Sequence, residues 1–152
     1  MRPAFFLSQD MEKPVYLSDG IIIPSSPDFL ADVDRYLEER LSRAGIDEST
    51  IADIAISVSE LVNNAIIHGN RFNKNKRVEI RFAIKKSEVK ISVEDQGDGF
   101  DFTELPNPVA DENLLREVGR GLFIVKSFVD EVAVKSAASG GTRVQILKKL
   151  KA

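Results

Sequence analysis

Residues 51–69 read IADIAISVSELVNNAIIHG, and Ile51, Ile54, Ala55, Val58, Leu61, Val62, Ala65 and Ile66 recur there at about 3.6 residues, the period of a helix with one apolar face. The pattern predicts a helix from Asp47 through to Gly69. A polar connection follows from Asn70 to Arg77, and then the period changes. Val78, Ile80, Phe82 and Ile84, and after them Val89, Ile91 and Val93, alternate with polar residues around a turn at Lys86 and Ser87, which predicts an antiparallel hairpin. An amphipathic helix that runs into a hairpin with one apolar face calls for a layer of helices on a sheet.

Upstream, Val15 to Ile23 reads as one strand, closed by Pro24, Ser25, Ser26 and Pro27. A first helix starts at Phe29, with Leu30, Val33, Tyr36, Leu37 and Leu41 on one stripe and Gly45 where a C-terminal glycine cap belongs. Residues 1–13 show no periodicity between Pro3 and Pro14 and read as a flexible tail, with Met11 an alternative start; residues 14–152 form a single domain. Downstream, Gly97 to Leu115 is rich in Gly, Pro, Asn and Asp and too long for an ordinary connection, a candidate functional loop or lid. Leu122, Ile124, Val125, Phe128 and Val129 predict a third helix, and Glu131–Ala137 and Thr142–Leu147 a closing hairpin across Gly140 and Gly141. The expected fold is α+β: a two-layer α/β sandwich whose mixed, mostly antiparallel sheet carries its helices on one face.

Composition narrows the function classes. A chain of 152 residues with 43% hydrophobic and 30% charged residues is long and apolar enough for one packed domain. Its net charge of −3 offers no electrostatic grip on nucleic acid or an anionic membrane, so neither is expected as a partner. The absence of cysteine removes disulfides, thiol nucleophiles and cysteine metal sites, and a single histidine leaves little for zinc. The purely apolar runs, such as Ile21–Ile23, are far shorter than the roughly 20 residues of a membrane helix, and no export signal is legible. A cytoplasmic location is expected.

Three segments have compositions that packing does not require. Glu60, Asn64 and His68 are spaced i, i+4, i+8 and share one stripe of the second helix, with Asn63 one step round. A glutamate there can deprotonate a hydroxyl or a water, and an asparagine oxygen is a hard ligand suited to partly hydrated Mg²⁺; a solvated helix face would have the same composition. Asp95-Gln96-Gly97-Asp98-Gly99 ends a strand with two glycines around an acid, which lets a backbone approach a ligand closely while Asp95 accepts a hydrogen bond; a plain turn would also use the glycines. A calcium loop of Asp95, Asp98 and Asp101 does not match EF-hand spacing. Gly119-Arg120-Gly121-Leu122 is read as opening the third helix, where free backbone N–H groups and the positive helix end suit phosphate, although a loop-to-helix joint needs glycine too.

In this order the segments resemble the N box (Glu60 to Asn70), the first glycine box (Asp95 to Gly99) and the second glycine box (Gly119 to Leu122) of the GHKL, or Bergerat-fold, ATP-binding superfamily. Gly140-Gly141-Thr142 is similar to that fold's closing Gly-Thr element, and the match covers Pro14 to about Leu150. Glu60 at the head of the N box and His68-Gly69-Asn70 at its end look most like the small anti-sigma-factor serine/threonine kinases of bacteria.

The resemblance implies ATP with Mg²⁺. Asp95 would accept the adenine amino group, Gly97 and Gly99 would let the base approach, and Thr142 would support the adenine end. Asn64 would hold Mg²⁺ on the phosphates, while Gly119, Arg120, Gly121 and Leu122 would form the phosphate segment. Glu60 would be the catalytic base. His68 is expected to cap or pack. Asn107 to Val118 would be the ATP lid, with Arg116 and Arg120 candidate phosphate partners by charge. The implied function is phosphorylation of an anti-anti-sigma (STAS-type) protein by a kinase that also sequesters a sigma factor. The alternative is a nucleotide-gated binding module with little or no catalysis. The catalytic domain of a histidine kinase is disfavoured because no helix pair carrying an acceptor histidine fits in this length. A homodimer through the Leu30–Leu41 stripe is a further expectation, though a core stripe would read the same way. The basic loop residues Arg71, Lys74, Lys76 and Arg77 would either meet an acidic partner or be solvated.

Overall fold

The computed structural model describes residues 12–98 and 112–151, with residues 112–117 given by backbone alone. Strands β1 (Val15–Leu17), β2 (Gly20–Pro24), β3 (Arg77–Ile84), β4 (Glu88–Glu94), β5 (Glu131–Ser136) and β6 (Thr142–Lys149) form one sheet in the order β1-β2-β3-β4-β6-β5. Helices α1 (Leu30–Arg43), α2 (Glu48–Asn64) and α3 (Glu112–Phe128) complete the α+β sandwich. All five strand pairings are antiparallel. The expected mixed character survives only in direction: β4 and β5 run parallel through the α3 crossover, but β6 inserts between them and pairs with both.

The inward face of the sheet explains the alternation. Ile21 pairs with Ile80, Ile80 with Val93, and Val93 with Val144, so one apolar row crosses four strands. Against it α1 buries Val33, Leu37 and Leu41, and α2 buries Ile54, Val58, Leu61 and Val62. The α1 stripe expected as a dimer surface is therefore spent on the core. By length and mean hydropathy Glu48–Gly69 would suit a bilayer, yet its apolar side is the face packed on the sheet. The outward face carries ion pairs instead, Arg81 with Asp19 (2.5 Å) and Glu79 (2.8 Å) and Arg143 with Glu94 (2.7 Å).

Local chemistry sets the element ends. Asp47 caps α2: its Oδ2 accepts from Thr50 N (3.1 Å) and its Oδ1 from Thr50 Oγ1 (2.7 Å), bonds that hold its carboxyl below the usual range. Gly45, at φ +80°, ends α1 as expected. The single strand expected over Val15–Ile23 is instead a hairpin that turns at Ser18 and Asp19, with Leu17 opposite Gly20. The polar Ser18-Asp19-Gly20 break between Val15–Leu17 and Ile21–Ile23 is where the chain turns, and Tyr36 Oη and Arg40, donating to the Leu17 and Ser18 carbonyls from α1, hold it.

Two further differences bear on the site. The last turn of the second helix widens to a π-turn over Ala65–Gly69, with Asn70 N donating to Ala65 O at 2.7 Å. Helix α3 begins at Glu112, so Gly119 and Gly121 lie within it rather than opening it. Only the first four N–H groups of a helix lack an intrahelical acceptor, and these two residues are past them.

Candidate nucleotide-binding site

Strand β4 ends at Glu94, and the next residue, Asp95, is 6% exposed. Its main-chain N donates to Thr142 O (3.0 Å), and its Oδ1 accepts from Gly97 N (3.0 Å) and Thr142 N (3.1 Å). With Oδ1 held in this way, Oδ2 lies over Gly69. Burial pushes the Asp95 carboxyl above the usual carboxylate range, the two backbone N–H bonds opposing it and Glu94 adding to it. Three backbone segments close around this side chain at distances that leave no room for a Cβ. A Cβ on Gly69 would collide with Asp95 Oδ2, one on Gly97 with the Gly69 carbonyl, and one on Gly141 with the Asp95 carbonyl.

Asp95 and Thr142 line a cleft whose apolar walls come from Leu61, Ala65, Val93, Leu122 and Val144. His68 and Asn64 continue the lining along the second helix. Glu60 and Asn64 meet α3 at a single point: a Cβ on Gly121 would lie 3.0 Å from Asn64 Nδ2 and 3.1 Å from Glu60 Oε2. An apolar slot ending in a fixed acceptor suits a flat heterocycle bearing an amino group. The carboxylate and amide that meet beside Gly121 suit a hydroxyl and a hydrated cation. Among the described residues no group of three His, Cys, Asp or Glu side chains could hold a metal. Asn64 carries one hard amide oxygen, a donor of the kind a hydrated cation shared with phosphates takes.

The expected site residues divide accordingly. Asn64, Asp95, Leu122 and Thr142 line one cleft, Gly97 N bonds Asp95, and Glu60 and Gly121 lie together beside Asn64. Gly119 and Arg120 are exposed, and Gly119 has open space around it, so the structure does not bring these two to the cleft. Their expected role at a helix start is corrected by the longer α3. Gly99, Asp101 and residues 99–111 of the expected loop and lid lie outside the described residues, as do residues 1–11 of the tail and the Arg116 side chain; residues 112–118 of the lid are the first turns of α3. His68 lines the cleft. Arg77, expected in the solvated basic loop, is buried at the head of β3.

Sequence reasoning missed Gly69 and Gly141 as site residues. The two glycines stood inside motifs already recognised. Their contact with Asp95 becomes visible only when three distant segments meet.

The chain belongs to the histidine kinase-like ATPase domain family, whose model matches residues 23–148. It is 35% identical over 136 residues to "Serine-protein kinase RsbW" of Staphylococcus aureus, covering 85% of this chain and 84% of that protein. The solved RsbU and RsbW domains of Rv1364c from Mycobacterium tuberculosis superimpose with a TM-score of 0.64 at 25% identity, over 91% of this chain and 32% of that longer one. The catalytic domain of histidine kinase ThkA shares the fold, with a TM-score of 0.52 at 15% identity over 87% of this chain and 97% of that one. Within the family the chain stands with the ATP-dependent protein serine/threonine kinases rather than with the histidine kinases that share only its fold.

Proposed function

We propose that the chain binds ATP with Mg²⁺ in this cleft and transfers the γ-phosphate to a serine or threonine of a STAS-type anti-anti-sigma protein, in the cytoplasm, while also holding a sigma factor. The observation that carries the proposal is the convergence of Glu60 and Asn64 beside Gly121, with Asn64 lining the same cleft as the fixed Asp95. Asp95 Oδ2 accepts the adenine amino group and Thr142 supports the same edge. The Gly69 and Gly97 backbones pack where the base must lie close. Asn64 offers its amide oxygen to Mg²⁺, which when bound neutralises charge on the phosphates.

Glu60 then takes the proton from the partner's hydroxyl as that oxygen bonds to the γ-phosphorus and the bond to the leaving ADP oxygen breaks. The partner classes are supported by the resemblance of the N box to anti-sigma-factor kinases and by the RsbW relatives. The test is incubation with Mg²⁺ and γ-labelled ATP, alone and with each STAS-type protein of the same organism. Label on a partner's serine or threonine is the expected outcome. Tight ATP binding with no transfer to any partner would replace the proposal by a nucleotide-gated binding module.

A further inference from the structure

Asn70 has no part in the chemistry described so far, yet it is 2% exposed and its side chain makes three hydrogen bonds to three segments. Nδ2 donates to Ser25 Oγ (2.7 Å) and to Arg77 O (2.9 Å), and Oδ1 accepts from Gln96 N (2.8 Å). The amide can sit only one way round, because Gln96 N can only donate and Arg77 O can only accept. Ser25 Oγ donates onward to Lys76 O (2.7 Å), and Gln96 Oε1 accepts from Arg77 N (2.8 Å).

The place of these bonds in the sheet gives them meaning. The β3–β4 register runs from Ile84 opposite Val89 to Glu79 opposite Glu94, and the turn bond Lys85 N to Glu88 O marks which pairs exchange hydrogen bonds. Continued by two residues, the ladder would make Arg77 and Gln96 such a pair, with Gln96 N donating to Arg77 O. Asn70 stands between those two groups and bonds both, while the Gln96 side chain takes the Arg77 N–H. The ladder is thus split one residue past Asp95, with Gln96 N and both Arg77 main-chain groups bonded to side chains in its place. The split leaves Asp95 bonded on its other side, to Thr142 of β6.

We propose that Asn70 is a positioning residue for adenine recognition, a wedge that parts β4 from β3 at Gln96 and so sets the direction of the Asp95 carboxylate. This rests on the nucleotide reading above. The prediction concerns selectivity as well as stability: without the wedge, Gln96 and Arg77 rejoin and Asp95 Oδ2 swings away from the base edge.

The test measures dissociation constants for ADP and for inosine diphosphate, which carries a carbonyl oxygen where adenine carries its amino group, together with thermal unfolding. The native chain should prefer ADP by roughly 10- to 100-fold, the range of one hydrogen bond to a charged group. Asn70→Ala should reduce that preference at least about fivefold, chiefly by weakening ADP while inosine diphosphate changes little. A lowered melting temperature with the preference intact would make Asn70 merely structural and overturn the proposal. If Asn70→Ala fails to fold, Ser25→Ala, which removes one of the three bonds, should shift the preference in the same direction, and an unchanged preference again overturns it. A native chain that binds neither nucleotide, or shows no preference that Asp95→Asn abolishes, would instead bring down the nucleotide reading and this inference with it.

Discussion

Replacing Asp95 by asparagine changes one atom type in a site where every orientation is constrained. The two N–H groups of Gly97 and Thr142, at 3.0 and 3.1 Å from Oδ1, can be satisfied only by the asparagine carbonyl oxygen. The new amino group must then take the place of Oδ2 over Gly69, where it meets the adenine amino group donor to donor. Losing a hydrogen bond to a charged acceptor costs about 1.5–3 kcal/mol, and two facing donors add a desolvation penalty that water at the open cleft partly relieves. We expect ADP to bind about 2–4 kcal/mol more weakly, roughly 30- to 900-fold, by calorimetric titration at neutral pH. Stability should move the other way. Burial raises the Asp95 carboxyl, so the folded chain takes up a proton more readily than the unfolded one, and the ionised group destabilises the fold at neutral pH. That destabilisation lifts as pH falls through the raised folded value toward the ordinary 3.8. Asp95→Asn should therefore unfold later than the native chain in urea at pH 7, with the gap narrowing on acidification. Binding of ADP within threefold of native, in a folded variant, would refute the assignment of the adenine acceptor.

Other outcomes follow from the same geometry. Glu60→Ala should bind ADP as the native chain does and lose phosphotransfer by roughly 10²- to 10⁴-fold in a labelled-ATP assay; full transfer would remove Glu60 as the base. Gly69→Ala drives a methyl group into Asp95 Oδ2 and should lower both ADP affinity and melting temperature, so a variant indistinguishable from native would contradict the packing around Asp95. Gly119→Ala has open space around it in the interior of α3 and should stabilise the chain by up to about 1 kcal/mol in urea unfolding, with ADP affinity unchanged; a clear loss of stability would argue against the long α3.

Much of the architecture was legible because it rests on period. The 3.6-residue recurrence through Ile66 and the alternation in Val78–Ile84 and Val89–Val93 follow from which side of an element meets the core, and the structure places those residues on the buried face. The motifs carrying Glu60, Asn64, Asp95 and Thr142 were equally legible, since each is a short run whose residue types suit a ligand. Boundaries were less so. The β1–β2 turn at Ser18 and Asp19 divides two short strands, and it is held by Tyr36 and Arg40, some 20 residues away in the chain. The early start of α3 agrees with Leu115 and Val118, which continue the spacing of Leu122 and Val125 upstream, but the two glycines were read as a helix opening, and the longer helix moved Gly119 and Gly121 from a helix end to a helix interior.

By itself, then, the sequence determined which elements form, which side of each is apolar, and which short segments have the composition of an ATP site. Only the tertiary structure decided how those segments meet: that Gly69, Gly97 and Gly141 close around one carboxylate, that Glu60 and Asn64 share a point on α3, and that Asn70 enters the gap between β3 and β4. The physical reason is range. Periodicity and capping depend on neighbours within a few residues, whereas Ser25 meets Asn70, Asn70 meets Gln96, and Asp95 meets Thr142 from distant parts of the chain, and whether a buried amide finds its three partners there depends on the packing of the elements between them.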